Sequence, residues 1–341
     1  MPLLRGEQLN IGIGIEDPAN RGDFTGPDAF IPGRSPSGIT VEVVKTLLKE
    51  TRASGVSSRG SVIVQRRASG PLEFNLRSQT IGYLLKSLFG KISSQAVPAS
   101  ASAYDHTFTI EKYNPQFPTI SIALSSGNEQ HYGFRNGLVK SLEIKTPVDD
   151  LVNATVEFIA SDESAQSDFT PVFSDDDVIF RPQDVSIKIA TDVAGLVGAT
   201  PIGVKEFSIK QDNNGKPQHN IGSVTAKDQL AGVTDIGGSL VIDYEGTTYH
   251  DLYKAGTYKA MQIIITRSDI ALDANNNHPT LTITLAKVSF EKYSPDRPLD
   301  DIVRDKLDFV AHYDESEDEA IEAVLRNNIP SYVYTPYGSS S

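Results

Sequence analysis

The chain has 341 residues, 39% of them hydrophobic, and a formal net charge of −13. That length suits two domains of ordinary size. The absence of cysteine excludes disulfides and thiolate metal sites, and the acidity argues against a grip on nucleic-acid phosphates, which needs clustered Lys and Arg. No stretch approaches the roughly 20 apolar residues of a membrane helix. Met1 to Gly6 lacks the apolar core of a signal peptide, so neither membrane insertion nor secretion by that route is expected.

From the N-terminus, Ile11 to Ile15 reads as a strand, and residues 16–38, rich in Gly, Pro, Asp and Ser, as an extended arm or long loop. Ile39 to Leu48 reads as a strand, Gly55 to Gly60 as a turn-rich break, and Ser61 to Arg66 and Leu72 to Arg77 as two further strands. Alternation puts Leu72, Phe74 and Leu76 on one face and Glu73, Asn75 and Arg77 on the other. Thr80 to Phe89 is predicted helical, with Ile81, Leu84, Leu85 and Leu88 as its stripe and Gly90 as its stop. Ser93 to Ala103 reads as a loop and Val152 to Ala160 as an alternating strand. Asp168 to Asp177 reads as a linker. Thr248 to Ala255, followed by Gly256, is a second short helix, and Ala320 to Asn327 a third. The tail from Ile329 is expected to be flexible or held by a partner.

Chemistry-bearing motifs are sparse. The six histidines form no HxH or HExxH pair. Asp273-x-Asn275-x-Asn277 starts like a calcium loop, but His278 replaces the turn glycine and Thr284 the bidentate acid. Asp175-Asp176-Asp177 reads as a solvated acidic linker in preference to a cation site. Gly12-Ile13-Gly14 lacks the third glycine of a nucleotide fingerprint. Asp149-Asp150 and Asp300-Asp301 resemble paired catalytic carboxylates, yet each pair precedes a strand, and a turn or strand-entry role fits both better. No enzyme, cofactor or metal site is expected.

The Asp pairs open the clearest internal repeat. Residues 149–160 (DDLVNATVEFIA) reappear as 300–311 (DDIVRDKLDFVA), with five of twelve positions identical at an offset of 151. Gly70 to Arg77 aligns with Gly238 to Glu245 at offset 168, and that offset runs on into Leu84-Leu85-Lys86 against Leu252-Tyr253-Lys254. Pro118 to Leu124 resembles Pro279 to Leu285, Ser141-Leu142-Glu143 resembles Ser289-Phe290-Glu291, and Ile11 to Ile15 more weakly resembles Val185 to Ile189. A period near 160 is domain-sized and implies a fusion of two units. Asp149, Asp150, Phe158, Asp300, Asp301 and Phe309 define the repeat. The expected division is an N-terminal strand and arm (1–37), a first unit (38–167), a linker (168–183), a second unit (184–328) and a C-terminal tail (329–341). The fold class is mainly β: two tandem β-sandwich or β-barrel-like units, each with a flanking α-helix.

The ordered series of Gly-turn and alternating strand (Gly70 to Arg77), leucine-rich helix ending in glycine (Ile81 to Gly90), His106-Thr107-Phe108-Thr109, Phe117 to Ile122, the strand Leu138 to Lys145 and the closing strand Asp149 to Ala160 resembles the tail tube proteins of long-tailed bacteriophages, the siphophage type. The resemblance spans roughly residues 38–328; its motifs are degenerate, and their order in duplicate carries it. It implies a structural virion protein, localised in the tail and assembled in the host cytoplasm, whose rings stack into a DNA-conducting tube. With six units to a ring and two units to a chain, the expected ring is a trimer with pseudo-sixfold symmetry. Tape-measure, tail-tip and terminator proteins are the implied partners, and DNA passes without specific binding. An acidic lumen would repel phosphate; its candidate acids are Glu42, Glu73, Glu206, Asp243 and Glu245. Residues 16–38, the loop near Gly55 to Gly60, and Gly215 to Gly232 are candidate arms toward an adjacent ring. The alternative is a two-domain β-sandwich binding module, an adhesin or receptor-binding tail-tip component, against which the absence of Trp and the scatter of Tyr argue.

Overall fold

The computed structural model describes residues 9–34, 39–49, 57–100, 102–126, 130–166, 170–244, 246–297 and 302–334. In chain order these form β1 (Leu9–Ile15), β2 (Ala29–Ile31), β3 (Thr40–Leu47), β4 (Ser61–Asn75), α1 (Thr80–Phe89), β5 (Gly90–Ala96), β6 (Tyr104–Ile110), β7 (Ile120–Ser126), β8 (Gln130–Thr146), β9 (Asn153–Ala160) and β10 (Glu163–Ala165). They continue with β11 (Val185–Ala190), β12 (Val204–Asp212), β13 (Lys216–Gln218), β14 (Asp228–Leu230), β15 (Asp235–Asp243), α2 (Thr248–Ala255), β16 (Lys259–Thr266), β17 (Thr280–Asp296), β18 (Arg304–His312) and β19 (Ile321–Asn327). The fold is mainly β, and both helices start and stop where the sequence signals them, with Gly90 and Gly256 at positive φ past their ends.

Strand pairing states one pattern twice. β4 meets β9 with Gly70 opposite Phe158 and Leu72 opposite Val156. β15 meets β18 with Gly238 opposite Phe309 and Leu240 opposite Leu307. The bulge between Val139 and Ser141, where β8 meets β9, recurs between Phe290 and Lys292, where β17 meets β18. The irregularity between Ile120 and Ile122 on β7 recurs between Lys259 and Met261 on β16. Each long strand, β8 or β17, therefore pairs through its first half with one set of partners and through its second half with another.

This pairing corrects three of the sequence alignments. Opposite Phe158 stands Val139, and opposite Phe309 stands Phe290, so Ser141 corresponds to Lys292 and not to Ser289. By the same logic β7 corresponds to β16, which displaces the match of Pro118 to Leu124 with Pro279 to Leu285. Ile13 lies opposite Ile122 and Ile189 opposite Met261, which moves the β1–β11 match by two residues. A two-residue slip keeps every apolar side chain on its face, so alternating strands match equally well in either register.

The two halves meet along a seam. β12 pairs with β8, Phe207 opposite Thr146 through Asp212 opposite Ser141, and β19 pairs with β6, Glu322 opposite Thr109 through Asn327 opposite Tyr104. α1 lies over this seam: Leu85, Leu88 and Phe89 surround a small cavity with Leu142 and Ile144 of β8, Ile209 of β12 and Ile283 of β17. One contiguous core thus joins residues of both halves.

Other expectations change on folding. Ala320 to Asn327 is not a helix: Ile321, Ala323 and Leu325 alternate with half-buried residues in β19, which is hydrogen-bonded on both sides by β17 and β6. Two partners override its helix-forming composition. β4 is one strand where two were expected, and Gly90–Ala96 is strand where a loop was expected to begin at Ser93. Residues 16–34 are no free arm, since β2 pairs with β1 and Ile31 is buried. Most of the Gly215 to Gly232 segment also folds back onto the first half, where Arg21 binds Asp228 at 2.7 Å and the Ala231 N–H donates to Pro115 O.

Glu16 anchors the start of residues 16–34. Only 2% exposed, its carboxylate accepts the Gly22 N–H at 3.1 Å, the Ser121 hydroxyl at 3.0 Å and the Asn136 N–H. Burial still pushes its pKa above the usual glutamate value. The folded protein therefore holds this proton to higher pH than the unfolded chain does. The resulting stabilisation is complete below the unfolded value and is lost as pH rises through the raised one. Thermal melts from pH 4 to 8 should show Glu16→Gln losing less Tm than the wild type over that rise; parallel profiles would contradict the assignment.

Candidate assembly edges and channel face

The sheet's outward face is built by register. Glu42 stands opposite Arg67, and two-residue steps along β4 carry the same face to Glu73. Across the seam the row runs Glu73, Thr155, Glu143, Lys210, Gly237. Steps along β15 then reach Val241, opposite Glu206, and Asp243. Glu42, Glu73, Glu206 and Asp243 therefore share one polar face that crosses both halves. Glu245, Asp300 and Asp301 lie outside the described residues.

The face is laced with ion pairs. Arg67 reaches Glu42 at 2.7 Å, Lys145 reaches Glu143 at 3.1 Å, Lys140 reaches Glu157 at 3.1 Å and Lys205 reaches Asp243 at 3.2 Å. Arg67 holds the Glu42 carboxyl below its usual range. Opposite charges interspersed at this spacing leave a weaker field than the acids alone would produce.

The repeat-defining positions divide by role. Phe158 and Phe309 are core residues, and Phe309 stacks on Phe207 with ring centroids 6.4 Å apart. Asp149 is exposed at the turn before β9, while Asp150 binds Arg34 at 2.6 Å and accepts the Leu151 N–H. That arrangement is a turn cap with an ion pair. Asp273 likewise spends its carboxylate on Asn275 N–H, Asn277 N–H and the Asn277 side chain. Among the described residues, no cluster of three His, Cys, Asp or Glu could hold a metal ion. No described helix is long and apolar enough to cross a membrane.

Three structural positions went unread in the sequence. Asp177, expected to be solvated, is 5% exposed and caps α1 from the linker: its carboxylate accepts Gln79 N–H at 2.6 Å, Thr80 N–H at 3.3 Å and the Thr80 hydroxyl at 3.0 Å. Tyr332, expected in a loose tail, is 1% exposed against α1. Glu16, described above, is the third. Apart from Gly22 and Asn327, the partners named for these three lie more than 80 residues away in sequence, so only the fold reveals them.

The helices differ most between the halves. Eight residues of α1 are buried, including Leu84, Leu85 and Leu88. α2 occupies the equivalent place after β15 and has no buried residue. Likewise, the second half of β8 is paired on both sides, by β9 and β12, whereas residues 292–296 of β17 pair among the described residues with β18 alone.

Comparison with known proteins decides the family. A profile described as phage tail tube protein matches residues 10–323. The chain belongs to the phage tail tube protein family. No curated protein matches it. Among solved structures, a hybrid solid-state NMR and cryo-EM structure of the SPP1 tail tube is similar at 11% identity and a TM-score of 0.31, over 48% of this chain and 90% of that one.

Proposed function

We propose that this tail tube protein is a fusion of two tube units, residues 38–167 and 184–328, and that three chains close a pseudo-sixfold ring. The contrast between α1 and α2 supports this most directly. α1 packs on β8, β5 and β6 of its own unit and, through Leu85, Leu88 and Phe89, also meets Ile209 and Ile283 of the second; α2 packs on β17 of its own unit and has no buried residue, as expected where the next unit belongs to another chain. The seam within the chain joins β8 to β12. Its counterpart between chains joins the free edge of β17 to the strand beside β4 in the neighbour, formed by Gly33 and β3. Pro295 in β17 has no N–H to offer, as suits an edge strand.

The polar face then lines the channel. Its acids, among them Glu42, Glu73, Glu206 and Asp243, repel DNA phosphate, while their paired cations keep that repulsion mild enough for smooth passage. Stacked rings conduct DNA during delivery, in the virion tail, with a tape-measure protein and tail-tip and terminator proteins as partners. No turnover is involved.

Native mass spectrometry and negative-stain microscopy of the purified chain test the ring. The expected result is a three-chain species with a central hole of DNA width and six peripheral densities. A monomer at every concentration, or a six-chain ring, would refute it.

A further inference from the structure

The dipeptide Asn-Gly occurs twice in the chain, as Asn136-Gly137 and Asn214-Gly215. It is the dipeptide most prone to lose its amide, because a nitrogen beside an unsubstituted Cα reaches the Asn Cγ with least hindrance. Both asparagines have positive φ, 54° at Asn136 and 49° at Asn214. Their surroundings differ. Asn136 is 2% exposed, its Nδ2 donates to Ser161 Oγ at 3.2 Å and to Lys227 O at 3.1 Å, and Gly137 stands in the β7–β8 ladder opposite Ile120. Asn214 is exposed at the loop tip between β12 and β13, and Gly215 belongs to no strand.

Asn214 also holds a joint. Its Nδ2 donates to Val233 O at 2.8 Å and to Asp235 Oδ2 at 2.7 Å, and its N–H donates to Asp212 Oδ1 at 2.8 Å. With the Gly232 N–H donating to Asn213 O at 2.7 Å, these bonds close the base of the Gly215 to Gly232 segment. That segment ties the second half to the first: Asp228 binds Arg21, Ala231 packs with Phe117 and Leu138, and Lys227 O accepts from Asn136. Bonds at an exposed tip open more readily than buried ones, and each opening frees the Asn214 side chain to turn toward Gly215.

We infer that Asn214 is a site of spontaneous deamidation in the folded protein, and that the reaction unlocks the segment strapping the second half to the first. The Gly215 backbone nitrogen gives up its proton to water and attacks Asn214 Cγ. The new N–Cγ bond forms, the Cγ–Nδ2 bond breaks, and the amide group leaves as ammonia, taking up a proton. The succinimide then takes up one water, which opens either carbonyl and yields aspartate or isoaspartate. No electrons are transferred, and water is the only co-reactant. A carboxylate has no N–H to offer Val233 O or Asp235, and it stands where the amide met the Asp235 carboxylate. Asp212 is answered by Lys210 at 3.8 Å, but among the described residues Asp235 has no ion-pair partner, so the new charge meets an uncompensated like charge. Isoaspartate also adds a carbon to the main chain just before Gly215, where even a Cβ would come within 3.1 Å of Leu138 and 3.2 Å of Ile159.

The full chain, held for days in mildly alkaline buffer, digested in mild acid and mapped by tandem mass spectrometry, should carry an acid in place of Asn214 and an intact Asn136. In urea both should convert. An amide kept at Asn214 in the folded chain while urea converts it would overturn the inference, as would equal conversion of Asn214 and Asn136 without urea. Limited trypsin digestion reads the unlocking. Cleavage after the exposed Lys227 should be at least several-fold faster in the aged chain than in the fresh one, and Asn214→Asp should match the aged chain without ageing. Asn214→Gln, whose longer side chain closes the ring far less readily, should age without that acceleration. Aged Asn214→Gln cut as fast as aged wild type, or Asn214→Asp cut as slowly as fresh wild type, would show that deamidation does not unlock the segment.

Discussion

Tyr332→Ala should lower unfolding free energy by about 3–5 kcal/mol in urea titrations, the range for removing a fully buried aromatic side chain. The Tyr332 ring sits edge-on to Tyr83 and to His106, each with centroids 4.8 Å apart. Its hydroxyl donates to Gln79 O at 2.8 Å and accepts from the Asn327 amide at 2.6 Å, and its own carbonyl accepts from Lys86 at 2.6 Å. The socket exists because residue 82 is glycine: a Cβ there would lie 2.1 Å from the Tyr332 ring. The last described segment therefore clamps the start of α1, a helix in the other half of the chain. Tyr332→Phe keeps the packing and leaves two polar groups short of a partner, so a loss of about 1–3 kcal/mol is expected. Equal losses for the two variants would show that the hydroxyl, not the ring, holds the clamp.

Ile209→Asp should be more damaging, costing more than about 4 kcal/mol. Ile209 is 4% exposed on β12, opposite Ile144 of β8 and Gly238 of β15, in the core beneath α1. A carboxylate there has no cation beside it and loses its water. Against a typical stability of about 5–15 kcal/mol, such a loss opens the seam for much of the time. Limited proteolysis should then cut within β11 and β12 faster than in the wild type, and ring formation should fail. Ile209→Val, expected to cost about 0.5–1.5 kcal/mol, controls for the position. Wild-type protease resistance in Ile209→Asp would mean that the two halves do not depend on this seam.

Much of the architecture was legible because it is local. Helix α1 is announced by Ile81, Leu84, Leu85 and Leu88 at helical spacing with Gly90 behind them, and β9 by Val152, Ala154, Val156 and Phe158 at every second place, all of them buried. The recurring strand pairing was legible because Gly70 and Phe158, with Gly238 and Phe309, keep both their residue types and their pairing. The failures came where long-range partners decide the outcome. Nothing local in Ala320 to Asn327 reveals that β17 and β6 wait on either side. Asp177 looks like one of three solvated acids until Gln79 and Thr80 arrive from 97 residues or more upstream. Alternation assigns acids such as Glu73 and Asp243 to the polar side of their own strands, whereas the pairing of the face's acids with Lys145, Lys205 and Arg67 depends on which strands become neighbours.

The β8–β12 seam also bears on how fast an assembly can form. Two units tethered by a short segment meet at an effective concentration in the millimolar range, far above that of separate chains at micromolar levels. In the proposed ring of six units built from three such chains, half of the seams would be in place before any encounter. Nucleation then needs three bodies to meet and not six, so the concentration threshold for starting a ring should fall, and with it the time that exposed sheet edges spend unpaired.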